Sequence, residues 1–133
     1  MRKLLILLVA LTLAGCSDVQ KSEINQVLDA RDQAISNKDV SAYSALLLGD
    51  YMDDHGKTKI AVVAQFVHMF QQFDKTEMHS YDREIRMIDS KHAECEQSYK
   101  LRVKADGRWR ELVQREQIYL LRTPAGWRIS GGL

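Results

Sequence analysis

The stretch AECEQSYKLRVKADGRWRELVQREQIYLL, residues 93–121, decides the fold of this 133-residue chain. Along 93–103 the odd positions are mostly apolar and the even positions are charged or polar, which is the period of a half-buried β-strand. Asp106-Gly107 follows, and this dipeptide is preferred in a type I′ hairpin turn because both central residues need a positive φ. The sequence therefore predicts two long antiparallel strands joined by a two-residue turn.

This turn sets the register of the hairpin. Pairing Ala105 with Arg108 and counting outward sorts the side chains into a wet face and a dry face. The wet pairs are Arg102–Glu111, Ser98–Arg115 and Lys104–Trp109, and the dry pairs are Leu101–Leu112, Cys95–Ile118 and Ala93–Leu120. A slip of one residue would move every side chain to the other face, so the pattern favours this register.

Polar residues interrupt the dry face at a few positions. Tyr99 is predicted opposite Gln114, and Gln97 opposite Glu116. A buried carboxylate is costly unless it is paired or neutralised. Glu116 therefore needs a partner elsewhere in the fold.

The hairpin is expected to lie within a longer meander. A turn at 123–126 brings Trp127 and Ile129 onto the dry face. A strand over 81–89 is predicted on the other side, with Tyr81, Ile85 and Met87 inward if the loop near Ser90 has an odd length. The result is a sheet of four antiparallel strands.

Three helices are predicted before the sheet. Ser22 is expected to cap the first, which ends at Asn37-Lys38, and Asp39 caps a shorter one through Leu47. The third is predicted from Lys57 to Phe73, with its apolar stripe at Ile60, Val63, Ala64, Val67 and Phe70. These elements predict an α+β domain in which three N-terminal helices pack on one face of a curved, mainly antiparallel sheet of four to five strands.

Arg31 lies in the middle of the apolar stripe of the first helix. An arginine there either reaches toward solvent or meets an acid inside the domain. We hypothesise that Arg31 faces Glu116, with the remaining polar side chains of the dry face, Gln97, Tyr99 and Gln114, completing a polar floor. Such a cluster is either a small-molecule pocket, in which an acid could act as general base, or a structural ion pair.

The N-terminus has the pattern of a signal peptide. Two positive charges, Arg2 and Lys3, precede an apolar run over 4–13 and a stretch of small residues. The run is shorter than the roughly 20 apolar residues that cross a bilayer. Residues 1–15 are therefore predicted to be a cleaved export signal.

The four residues at the end of the apolar run indicate which kind of export signal this is. Leu13-Ala14-Gly15-Cys16 resembles the lipobox of bacterial lipoproteins. The resemblance implies that Cys16 becomes the first mature residue, carries a diacylglycerol on its thiol and anchors the chain to the membrane through acyl chains such as palmitate. Because Ser17, not aspartate, follows the cysteine, the enteric sorting rule implies the outer membrane, facing the periplasm. Residues 16–21 would then be the lipidated cysteine and a tether, and 22–133 the domain.

Charge and motifs exclude several classes of function. Without Arg2 and Lys3, 17 of the 19 Lys and Arg remain against 18 Asp and Glu, so no basic excess indicates nucleic-acid binding. No zinc, dinucleotide or phosphate-loop motif occurs, and we expect no metal and no cofactor. If Cys16 carries lipid, Cys95 has no disulfide partner; a lone thiol is either reactive or, more often, buried as a small hydrophobe.

The order of elements resembles the nuclear transport factor 2-like superfamily, which includes ketosteroid isomerase and SnoaL-type cyclases. The resemblance is carried by 34–39 leading into Leu46-Leu47, by Gly56-Lys57 with Ile60, and by 126–129. It implies a cone of sheet and helices whose mouth often holds a ligand. Isomerase-like members place a catalytic aspartate between the second and third helices, where this chain has Asp53 and Asp54. The alternative for these two residues is a solvated acidic turn.

The sequence thus predicts a lipid-anchored envelope protein whose domain binds a small molecule or another protein. The alternative is a small isomerase, dehydratase or cyclase that uses an acid in the cone; no catalytic residue is assigned, and a binding role is favoured. The convex sheet face carries Trp109, Val113 and Tyr119, and the resemblance implies that it could form a homodimer.

Overall fold

The structure is a computed structural model that describes the backbone of residues 2–133 and the side chains of residues 16–133. The helices are α1 (Arg2–Ser36), α2 (Val40–Ala45) and α3 (Lys59–Gln72). The strands are β1 (Lys75–Met87), β2 (His92–Ala105), β3 (Arg108–Thr123) and β4 (Gly126–Gly131). They form one antiparallel sheet in the order β1-β2-β3-β4. The predicted α+β class, with three helices on a curved four-stranded sheet, is confirmed.

The central hairpin has the predicted register along its whole length. Ala105 pairs with Arg108, Tyr99 with Gln114, and every other predicted wet and dry pair is present. Asp106 and Gly107 have φ of 51° and 72°, as a type I′ turn requires. The dry face is the concave face of the sheet, which packs against the helices.

Helix α1 starts earlier than predicted. Ser22 lies within the helix and does not cap it, and residues 16–21, the predicted tether, are helical. No proline or glycine occurs in 16–36 to interrupt it. The helix ends at Ser36, and Lys38 rather than Asn37 takes the positive φ, 55°. The predicted signal peptide, residues 1–15, lies outside the part of the chain whose side chains are described.

The two shorter helices are capped by side chains. Asp39 caps α2 as predicted, since its carboxylate accepts a hydrogen bond from the Ala42 N–H at 2.9 Å. Helix α3 begins at Lys59 rather than Lys57, and its cap is Thr58.

The predicted apolar stripe of α3 is correct only in part. Phe70 is buried and Val63 packs against the core as predicted, but Ile60 is 82% exposed, Ala64 is exposed, and Val62, outside the stripe, is buried. Most of this helix is apolar, so several overlapping stripes fit a period of 3.6 residues and the sequence does not select one. The observed stripe places Phe66 against Tyr43 of α2, with ring centroids 4.3 Å apart.

Strand β1 begins at Lys75, before the predicted start, and contains a β-bulge. Tyr81 pairs with Ser98 but Glu84 pairs with Glu96, so two β1 residues lie opposite Gln97. The bulge shifts the alternation, so Tyr81 lies on the convex face with Ser98, and its predicted inward orientation is wrong. Ile85 and Met87, beyond the bulge, pack against the core as predicted.

The core lies between α1, α2 and the closed end of the sheet. Leu120 pairs with Ile129 of β4, and Trp127 is buried beside them as predicted. The Ile129 N–H donates to the Leu46 carbonyl at 2.8 Å, which attaches the end of α2 to the outer edge of β4. Within the part of the chain that the structure describes, no helix combines the length and apolar character needed to cross a membrane.

Candidate functional site

A cavity of about 600 Å³ opens between α3 and the concave faces of β2 and β3. Its volume is in the range of small-molecule sites. Apolar side chains make up much of the wall: Phe66, Met69, Met78, Leu101 and Leu133. Polar side chains from α3 and from the sheet also line it, and among them are four of the five residues predicted to form a ligand site: Arg31, Tyr99, Gln114 and Glu116.

Arg31 and Glu116 form the ion pair that the sequence suggested. The Arg31 Nη1 contacts Glu116 Oε1, and Nη2 donates to Oε2 at 3.3 Å, so the guanidinium meets the carboxylate with two donors. Only 5% of the Arg31 side chain and 10% of the Glu116 side chain are exposed. The pair arises because α1 crosses the concave face where the alternation of β3 turns Glu116 inward.

Gln97, the fifth predicted residue, is fully buried beneath this pair. Its Nε2 donates to Glu116 Oε1 at 3.1 Å, and its Oε1 accepts from Arg83 Nε at 2.8 Å. The bond from Arg83 fixes the orientation of the amide, so its NH₂ group points at the carboxylate. Gln97 supports the site from below without lining the cavity.

Arg83 is the member of the network that sequence analysis missed. Its Nη1 also donates to Asn25 Oδ1 at 3.0 Å and to Asp29 Oδ1 at 2.9 Å, both on α1. The β1 bulge turns Arg83 toward the concave face, and Asp82 within the bulge has a φ of 50°. Aspartate tolerates this conformation better than most residues, which is the one local signal that the sequence offered.

Tyr99 and Gln114 form the wall nearer the open end of the cavity. The Tyr99 hydroxyl donates to Gln114 Oε1 at 3.0 Å, which joins the two strands. Burial, with the nearby Glu116 charge, raises the pKa of Tyr99, so its hydroxyl is neutral at ordinary pH. Because the hydroxyl proton is donated to Gln114 in a hydrogen bond, the hydroxyl oxygen is free to accept a hydrogen bond from a ligand.

The electrostatics of the site keep Arg31 charged. Burial lowers the pKa of the guanidinium, but the charge and hydrogen bond of Glu116, with smaller contributions from Tyr43 and Asp32, raise it, and the net direction is upward. Beside it, burial raises the pKa of Tyr43. The Arg31 Nε and the Tyr43 hydroxyl are both buried and have no hydrogen-bond partner among the described residues.

Asp53 and Asp54 are not part of the cavity wall. Asp53 Oδ1 accepts from the backbone N–H groups of His55 and Lys57, each at 2.9 Å. The carboxylate thus stabilises the turn before α3. The structure favours the second interpretation, a solvated acidic turn.

The remaining reactive side chains lie apart from the cavity or at its edge. Cys95 is fully buried, and burial raises its pKa to about 11, which is the behaviour of an unreactive core thiol. His68 lies at the cavity edge, where its ring forms a hydrogen bond with the Gln72 side chain. Among the described residues, no group of His, Cys, Asp and Glu side chains has the geometry to hold a metal ion.

Comparison with solved structures identifies the fold. An NTF2-like protein with a cystatin-like fold from Novosphingobium aromaticivorans matches with a TM-score of 0.71 at 17% identity, over 95% of this chain and 84% of that one. A candidate dehydratase of the NTF2-like family from Streptomyces avermitilis gives 0.75 at 13% identity, over 86% and 94%. A candidate scytalone dehydratase from N. aromaticivorans gives 0.75 at 13% identity, over 90% and 85%.

These likenesses establish an NTF2-like, cystatin-like fold. No protein-family model and no curated protein matches the sequence.

Proposed function

We propose that this NTF2-like domain binds a small molecule in the cavity between α3 and the concave sheet face. The observation that carries the proposal is the buried Arg31–Glu116 pair beside a cavity of about 600 Å³ whose wall combines apolar side chains with polar ones. Ligand sites combine an apolar wall with a few oriented polar groups, and this wall has that composition.

The polar groups indicate the character of the ligand. Arg31 and Glu116 neutralise each other, so the ion pair adds no net charge to the cavity, which Lys57 and Arg115 also line. Tyr99 and Gln114 offer an acceptor and an amide within the same wall. A largely apolar molecule with one hydrogen-bonding end, such as a hydroxyl or carbonyl group, satisfies both parts of the wall.

A catalytic role is the second candidate, because two of the structural neighbours are named as candidate dehydratases. Glu116 is the only acid among the residues lining the cavity, all of which belong to the described part of the chain. Both of its oxygens accept hydrogen bonds from Arg31, and one accepts another from Gln97. A general base needs a free oxygen directed at its substrate, so this arrangement favours binding over catalysis.

One experiment separates binding from catalysis. The chain is purified from its own envelope, molecules that copurify are extracted and identified by mass spectrometry, and each is returned to the wild type and to Glu116→Gln. We expect both proteins to bind the molecule and to release it unchanged. If the wild type converts the molecule and Glu116→Gln binds but does not convert it, the domain is an enzyme and the binding proposal is wrong.

We propose further that Cys16 carries lipid and holds the domain at the bacterial outer membrane, facing the periplasm. The support is the lipobox-like 13–16 and Ser17 at the sorting position, together with the exposure of Cys16. Two or more acyl chains anchor a protein stably, whereas one binds only marginally. Anchoring would place the cavity in the periplasm within reach of membrane-derived molecules.

Metabolic labelling tests the anchor. Cells grown with labelled palmitate are expected to label the wild-type chain and not Cys16→Ser, with the Cys95→Ser chain labelled as the control. Ser17→Asp is expected to move the labelled protein to the inner-membrane fraction. Equal labelling of Cys16→Ser and wild type would show that the anchor is not on this thiol.

A further inference from the structure

The outer edge of β3 is open over the half that forms the hairpin. Within the described residues, β4 pairs with β3 only between Tyr119 and Thr123. The segment Arg108–Arg115 is exposed at every position, including Leu112 at 44% and Val113 at 51%. An open strand edge presents unpaired N–H and C=O groups that can pair with another strand.

The turn geometry determines which backbone groups point outward. In a two-residue hairpin the flanking residues, Ala105 and Arg108, exchange hydrogen bonds with each other, and the bonding direction then alternates along β3. The N–H and C=O groups of Glu111, Val113 and Arg115 therefore point away from β2, toward the open edge.

We propose that this edge pairs with the same edge of a second copy of the chain, antiparallel about a two-fold axis at Val113. In this register Val113 lies opposite the partner's Val113, and each such hydrogen-bonded pair exchanges two backbone bonds. The two sheets join into one continuous sheet. A strand from an unrelated protein is the competing occupant.

Charge complementarity selects the second copy and the register. On the convex face the two-fold axis places Glu111 opposite the partner's Arg115, and the symmetry repeats this pair. If the axis moved to Glu111, two carboxylates would face each other; opposite charges directly across strands stabilise a sheet and like charges destabilise it.

Edge pairing also avoids a cost that a dimer through the convex face would carry. That face is covered by ion pairs within the chain, including Arg102 with Glu77 at 3.0 Å and Arg115 with Glu96 at 3.4 Å. Burying such pairs under a second sheet would remove their water. Edge pairing leaves the convex side chains exposed to solvent.

Disulfide crosslinking in cells that express the full chain tests the proposal. Cα atoms of a hydrogen-bonded antiparallel pair are about 5.5 Å apart, within the range of a disulfide. Val113→Cys is oxidised with copper phenanthroline. Two controls are treated in the same way: Lys100→Cys, at the position opposite Val113 on β2, and the wild type, whose only cysteines are Cys16 and Cys95. We expect a disulfide-linked dimer in Val113→Cys at several times the yield of Lys100→Cys and of the wild type.

Charge exchange tests the register in the same background. Adding Glu111→Arg to Val113→Cys is expected to reduce the crosslinked fraction severalfold, and adding Arg115→Glu as well is expected to restore it. Three outcomes would overturn the proposal: crosslinking of Lys100→Cys at least as strong as that of Val113→Cys, crosslinking of Val113→Cys to another protein only, or no recovery in the charge-exchanged chain.

Discussion

At the scale of single residues, the arrangement of the site depends on the charged side chain of Arg31, which is buried in the middle of α1. Arg31 is 4% exposed and its guanidinium is held by the Glu116 carboxylate, which in turn is supported by Gln97 and Arg83. A buried ion pair adds little stability compared with an apolar pair, but removing one partner leaves an uncompensated charge. The pair therefore fixes the arrangement of the site more than it stabilises the fold.

Replacing Arg31 alone is predicted to be costly. Arg31→Met leaves the Glu116 carboxylate buried with one neutral donor, so we expect the free energy of unfolding to fall by about 3–5 kcal/mol. The double variant Arg31→Met/Glu116→Gln removes the unpaired charge and should recover part of that loss. Urea unfolding of the variants and the wild type measures both effects. A loss below about 1 kcal/mol in Arg31→Met would mean that the pair is solvated.

The buried thiol of Cys95 gives a prediction for alkaline pH. Burial raises its pKa from 9.0 to about 11. Between these values the unfolded chain has lost the proton and the folded chain has kept it, so stability falls as pH rises through this window. The loss from this thiol should be at most about 3 kcal/mol.

Urea unfolding between about pH 8 and about pH 11 measures the slope. Cys95→Ala should have a shallower slope than the wild type, while the buried Tyr43 keeps a contribution above its ordinary pKa of 10.0 in both proteins. Identical slopes would indicate that the thiol is accessible to water in the folded state.

Interruptions in a regular pattern allowed much of the site to be predicted. Arg31 interrupts an apolar helix stripe and Glu116 interrupts an apolar strand face, and both interruptions are visible in the sequence. Arg83 could not be predicted, because its inward direction depends on the β1 bulge. A bulge changes which face a residue occupies without changing the composition of the strand.

At the scale of elements, the β2–β3 hairpin organises the sheet. Its turn alone determines the pairing of fourteen positions on each strand, and thereby which side chains reach the cavity and which line the convex face. The helices pack on this surface. The side of α3 that faces the core is the one whose Phe66 contacts Tyr43.

The turn provides a direct test at this scale. No atom lies within 4 Å of a Cβ added at Gly107, so Gly107→Ala isolates the effect of its φ of 72°. We expect a loss of about 1–2 kcal/mol, the cost of the left-handed conformation for an L-residue. Asp106→Asn is the control and should be near neutral, because asparagine suits the same position. Thermal unfolding of the two variants compares them, and equal stability would show that another feature sets the register.

The strands could be predicted better than the helices for a physical reason. A strictly alternating sequence of apolar and polar residues can be assigned to the two faces of a strand in only one way. The dipeptide Asp106-Gly107 also marks where strand β2 ends. In α3 most positions are apolar, so the phase was decided by tertiary contact with Tyr43. The start of α1 was missed because a possible cap, Ser22, is also tolerated within a helix.

At the scale of the whole molecule, the order of elements determines the fold even where few residues are shared. Solved structures at 12–17% identity align over most of the chain, so this fold does not require a high share of identical residues. The cavity lies where α3 and the hairpin diverge, beyond the packed core between α1 and β4. This separation lets the site vary while the core maintains the fold.

The central claim is that the cavity accepts a small molecule, and filling it is the most direct test. The chain from residue 17 onward contains all core residues among those whose side chains the structure describes, from Ile24 to Ile129, and is titrated with 8-anilino-1-naphthalenesulfonate. Leu101→Trp places a large side chain in the cavity, whereas Lys100→Trp places it on the opposite face of the same strand. We expect saturable binding to the wild type and to Lys100→Trp, and its loss in a folded Leu101→Trp. Equal binding by the two tryptophan variants, or none by the wild type, would contradict the claim.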